Sequence, residues 1–98
     1  MPAAYVITNM KISDPEKYKG YQALTPAAIA AGGGQFLVRG GRFESLEGDP
    51  ADGRWVVVKF DSYEAAKAFY DSPLYREARA RRAGATEFLN MIVIEGVE

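Results

Sequence analysis

The chain contains no cysteine and no histidine. Those two absences remove disulfides, thiolate nucleophiles, Cys/His zinc sites, the Ser-His-Asp triad and a His-ligated haem. Long apolar runs are also missing, since nothing approaches the roughly 18 residues of a membrane helix. The opening stretch, Met1-Pro2-Ala3-Ala4-Tyr5-Val6-Ile7-Thr8-Asn9, has no basic n-region, and its apolar run breaks at Thr8 and Asn9. It does not read as a signal peptide. Nor is there an excess of charge: 12 Lys+Arg face 13 Asp+Glu, for a net charge of −1. Such a balance gives no general attraction to nucleic acid or acidic lipid. The expectation is a cytoplasmic protein with no metal, no cofactor, no nucleic-acid partner and no membrane association.

What is present suits one domain spanning residues 1–98. A chain of this length buries roughly 65% of its unfolded surface, which permits one modest core and makes help from a second subunit plausible. Ala3–Ile12 is short, β-branched and aromatic, and reads as a strand. A helix follows, started either by Asp14 as cap with Pro15 in its first turn or by a Ser13/Glu16 capping box. Tyr18, Tyr21 and Leu24 recur at spacing three on one face of it, and Pro26 predicts a kink or restart near Thr25. Gly32-Gly33-Gly34 stops it.

Gln35–Val38 reads as a second strand that Arg42–Leu46 continues, with Gly40-Gly41 as a bulge or close approach. Residues 47–53 are dense in turn formers and form a loop. Arg54–Phe60 is a third strand, followed by a helix from Asp61 or Ser62 to Tyr70. Ser72-Pro73 restarts a helical segment running to about Arg82, and Thr86–Glu95 is the last strand. The order βαββαβ predicts an α+β, ferredoxin-like domain: a four-stranded antiparallel sheet with its helices on one face.

Helices on one side leave the other sheet face wet, and a wet face should alternate polar residues. Here both parities are apolar: Val56, Val58 and Phe60 against Trp55, Val57 and Lys59, and Phe88, Asn90, Ile92 and Ile94 against Leu89, Met91 and Val93. An apolar face of that size predicts a homodimer formed through the sheet.

Ala4-Tyr5-Val6-Ile7, Asp14-Pro15-Glu16, Val38-Arg39-Gly40-Gly41 and Phe69-Tyr70-Asp71-Ser72-Pro73-Leu74-Tyr75 together resemble the domain-of-unknown-function family 1330 (DUF1330) along essentially the whole chain. The resemblance implies a ferredoxin-like subunit in a dimeric α/β barrel, with the two sheets facing each other. The same superfamily holds antibiotic-biosynthesis monooxygenases, which place an Asn on the first strand, a Trp closing the third and a His on the next helix. On this chain Asn9 matches the first, while Phe60 and Arg79 stand near the other two and depart from them.

Four residues are the candidate ligand site: Asn9, Arg39, Tyr75 and Arg79. Arg39 precedes a glycine pair that lets a ligand approach the backbone, and its planar guanidinium suits a carboxylate or phosphate. The plainer alternative is an exposed Arg beside a bulge. Tyr75 and Arg79 are i, i+4 neighbours on one helical face, where a phenol and a guanidinium suit an anionic or aromatic ligand. The plainer alternative makes Tyr75 core and Arg79 solvated. Tyr18 and Tyr21 either edge a pocket or belong to the core. Arg76, Arg79, Arg81 and Arg82 with Glu77 read as a solvated helix face, since no RNA-binding strand signature accompanies them.

Three functions fit these residues. The first is a homodimer binding a small anionic organic molecule in a cleft flanked by Arg39 and Arg79. The second is a cofactor-independent enzyme, monooxygenase- or isomerase-like, acting on a small organic acid or quinol. The third is a protein-interaction subunit. No catalytic residue stands out.

Overall fold

The computed structural model describes residues 2–97, so the single domain expected over 1–98 extends to Met1 and Glu98, which lie outside the described residues. The elements run β1 (Ala4–Ile12), α1 (Pro15–Ala31), β2 (Gln35–Arg39), β3 (Arg54–Phe60), α2 (Tyr63–Asp71), α3 (Pro73–Arg81) and β4 (Thr86–Glu95). The strands form one antiparallel sheet in the order β2-β3-β1-β4. This is the ferredoxin-like α+β plan, with the second helical segment split in two at Ser72-Pro73.

Local chemistry sets the helix starts. The Asp14 side chain accepts from the Lys17 N–H at 3.1 Å, which decides between the two caps open to α1. Ser62 accepts from Ala65 N–H at 3.0 Å to start α2. Ser72 accepts from Tyr75 N–H at 3.3 Å to start α3, while its own hydroxyl donates to the Phe69 carbonyl at 2.7 Å. One serine thus closes α2 and opens α3.

Two expectations are corrected. Pro26 does not break α1, which continues from Pro15 to Ala31. Proline's fixed φ is compatible with a helix, and Tyr21, Thr25, Ala28 and Ile29 on either side of it hold the helix down by burial. The Thr25 hydroxyl also donates to the Tyr21 carbonyl at 2.7 Å. Arg42–Leu46 does not continue β2. Gly40 adopts φ 73°, a left-handed turn that carries the chain off the sheet once its N–H has bonded the Trp55 carbonyl at 2.9 Å. The irregularity inside β2 falls between Phe36 and Val38 instead of at the glycines. Residues 41–52 are then an exposed loop. Its far end is tied to β1 by Lys11, whose ammonium meets the Asp52 carboxylate at 3.1 Å.

The helices cover one sheet face. Val6, Met10, Val58 and Phe60 from the sheet pack against Tyr18, Tyr21, Ile29, Phe69 and Tyr75 from the helices. Phe60, Phe69 and Tyr75 form an aromatic run with centroids 4.9 and 4.3 Å apart. Fully burying such a side chain contributes about 1.5–3 kcal/mol. The other face carries the opposite parity. Its central row runs Val38–Val57–Ile7–Ile92 across all four strands, with Ile92 55% and Ile94 50% exposed. Among the described residues, no helix is long and apolar enough to cross a membrane.

Candidate functional site

The registry of the sheet places a cleft between the covered face and helices α1 and α3. Arg39 pairs with Val56, Val56 with Thr8, and Thr8 with Met91, so one row crosses the sheet from edge to edge. Those four residues line the floor, and Tyr18, Tyr21, Gln22 and Tyr75 line the walls. The cavity it encloses is small, about 50 Å³, and is open to solvent at its mouth. Three inter-strand spacings give that row a length of about 14 Å.

Its mouth is basic. Arg39 and Arg54 both line the cleft, on neighbouring strands and on the same sheet face. Arg39 stacks over the Phe36 ring at 4.5 Å. Arg54 lies against the backbone of Gly40, where a Cβ would come within 2.9 Å of its guanidinium carbon. Among the described residues, neither guanidinium is within ion-pair distance of a carboxylate.

Further in, the Tyr21 and Tyr75 hydroxyls share a 2.7 Å hydrogen bond, and the Tyr75 hydroxyl points on to the Met91 sulfur at 4.0 Å. Burial, and then the neighbouring Tyr21, push the Tyr75 phenol far above the usual tyrosine range. Burial pushes Tyr18 up to about 12, against the opposing pull of Arg82 and Arg54. The Tyr18 and Tyr75 hydroxyls stay protonated at neutral pH and act as hydrogen-bond donors or acceptors, not as bases. Behind them Arg82 lies 5.0 Å over the Tyr21 ring, and its buried Nε has no hydrogen-bond partner among the described residues. Burial disfavours its charge, but the Tyr75 and Tyr21 oxygens outweigh that and raise its pKa.

The four expected site residues do not meet. Arg39 and Tyr75 line the cleft. Asn9 has the parity of Tyr5 and Ile7 and lies on the uncovered face, because Thr8 and Met10 take the buried positions on either side. Its amide donates to the Asp52 and Arg54 carbonyls at 3.0 and 3.2 Å, which pins the loop end to the sheet. Arg79 does share a face with Tyr75, 5.7 Å from its ring. But its guanidinium stacks on Tyr70 at 4.0 Å and donates to the Tyr70 hydroxyl and carbonyl at 2.9 and 3.2 Å. It fastens α3 to the end of α2, and the expected Arg39/Arg79 cleft is corrected to an Arg39/Arg54 one.

Arg54 and Arg82 were missed, and both had a signal. Arg54 shares the alternation of Val56, Val58 and Phe60, so it had to face the helices. Arg82 follows Tyr75 by seven residues, two helical turns along the same face. The arginine cluster is therefore not one solvated face: Arg76 and Arg81 are exposed, while Arg79 and Arg82 turn inward. Among the described residues there is no group of three or more His, Cys, Asp or Glu able to hold a metal ion.

The family model described as "Domain of unknown function (DUF1330)" matches residues 3–97. No curated protein matches the chain. Among solved structures, a protein of unknown function from Rhodopseudomonas palustris is 20% identical with a TM-score of 0.77, over 99% of this chain and 84% of its own. A dimeric ferredoxin-like protein of unknown function from Jannaschia sp. CCS1 is 11% identical with a TM-score of 0.74, over 96% and 99%. A cofactor-independent oxygenase from Streptomyces nogalater is 11% identical with a TM-score of 0.68, over 100% and 96%. At these identities the likeness is one of fold.

Proposed function

The chain belongs to the DUF1330 family, and from that premise we propose that it is a homodimeric protein binding a small organic anion in the cleft between sheet and helices. The observation that carries the reading is the pair of guanidiniums, Arg39 and Arg54, at the mouth of a cleft lined mainly by apolar residues and tyrosines, with Thr8, Gln22 and Thr25 among them; no carboxylate among the described residues is paired to either guanidinium. Two like charges side by side repel each other, and an anion between them relieves that repulsion while accepting charge-assisted hydrogen bonds. A second copy covers the open sheet face. The apolar row Val38–Val57–Ile7–Ile92 supports this, as does the dimeric state named for ferredoxin-like neighbours.

The oxygenase neighbour supports a second reading, cofactor-independent chemistry on an organic acid or quinol in the same cleft. There the tyrosine hydroxyls donate hydrogen bonds to a substrate oxygen.

Calorimetric titration with benzoate and hexanoate, each against its neutral amide, tests the anion reading. The acids bind and the amides do not. Arg54→Ala, at a partly buried site, weakens binding about 10- to 100-fold, and the solvent-exposed Arg39→Ala weakens it about tenfold. Lysine restores little at either position, because it replaces a planar fork by a point charge. Equal binding of acid and amide overturns the reading.

A further inference from the structure

Beyond the cleft lies a second cavity of about 170 Å³, between α2 and the edge strand β4. Ala66, Lys67, Tyr70, Ile92 and Val93 line it, together with two residues that also line the first: Val6 and Met91. Those two side chains are therefore the partition between the cavities. They differ in how freely they move. Val6 is branched at Cβ, sits on a central strand and is 7% exposed, held in the row between Val58 and Val93. Met91 is unbranched, has three rotatable bonds and stands on an edge strand, only partly buried. Among the described residues, its side chain's one polar contact is the long 4.0 Å approach of the Tyr75 hydroxyl.

We propose that Met91 is the end wall of the ligand cleft and its length-determining residue, and that the ligand is a carboxylate carrying an extended apolar chain. The inference rests on the anion reading of the preceding subsection. The registry orders the parts: the carboxylate at Arg39 on the edge strand β2 and Arg54 on its neighbour β3, the chain along Val56 and Thr8, and its tip against Met91 on the opposite edge strand β4. Swinging Met91 aside joins the two cavities and extends the apolar run past Val6 to Tyr70. A large residue there closes the run early.

The test is calorimetric titration with the straight-chain alkanoates from butanoate to dodecanoate, on the wild type, Met91→Ala and Met91→Phe, with circular dichroism confirming that each variant is folded. In the wild type, affinity rises about fourfold per methylene until the chain reaches Met91, and then stops rising. Met91→Ala moves that break to chains at least two carbons longer, and Met91→Phe moves it to shorter ones. The Phe variant opens no cavity, so it keeps the test sharp if the Ala variant is unstable. Breaks at the same chain length in all three proteins overturn the inference while leaving the anion reading in place. Failure of every alkanoate to bind the wild type, or binding indifferent to Arg54→Ala, overturns both.

Discussion

Replacing Val57 by aspartate puts a carboxylate in the middle of the Val38–Val57–Ile7–Ile92 row on the uncovered sheet face. In an isolated subunit the new charge meets water, because Val57 is only half-buried and its face carries no helix. Folding should change by no more than about 1 kcal/mol. In a dimer built on that face the carboxylate is buried against the partner's apolar residues with no cation opposite. An uncompensated buried charge costs about 3 kcal/mol or more. Twofold symmetry brings both copies of the substitution into the one interface, so the cost doubles to about 6 kcal/mol. That raises the dimer dissociation constant about 10⁴-fold. Sedimentation equilibrium of wild type and Val57→Asp across nanomolar to micromolar concentration measures it. Arg76→Asp on the exposed side of α3 is the control and leaves association unchanged. A wild type that sediments at 10.7 kDa at micromolar concentration refutes the reasoning. So does a Val57→Asp variant that associates as tightly as the wild type.

Two further outcomes follow from the tyrosines. Tyr75→Phe leaves the buried Tyr21 hydroxyl without its 2.7 Å partner and lowers stability by about 1–3 kcal/mol in urea unfolding; a Tyr21→Phe/Tyr75→Phe double variant recovers part of that loss, and full additivity of the two single variants argues against the pair. Tyr18 titrates at about 12 in the folded chain and Tyr75 is raised in the same sense, against roughly 10 when unfolded. The unfolded chain therefore releases these protons first: the stabilisation is complete below pH 10 and is lost as pH climbs towards 12. Urea midpoints flat from pH 7 to 9 and falling from 10 to 12 agree with this; no steeper fall in wild type than in Tyr18→Phe contradicts it.

Strand and helix order needed only local information. Ser62, Ser72-Pro73 and Asp14-Pro15 carry their own hydrogen-bonding and φ preferences, so the starts of the three described helices were readable along the chain to within a residue, with two caps left open for each of the first two. The two apolar parities of the third and last strands were equally readable, because alternation is set by the backbone of a strand. Tertiary structure decided the rest. Whether Pro26 interrupts α1 depended on how much of that helix is buried, and whether β2 continues past Gly40 depended on the left-handed turn taken there. The site was legible only in part for the same reason. Arg39 and Tyr75 could be picked out one at a time. That Arg54 and not Arg79 stands with Arg39, and that Asn9 lies behind the sheet, follows from register across four strands and from the Tyr70 ring that captures Arg79. Those are pairings between residues far apart in the chain, and no local preference encodes them.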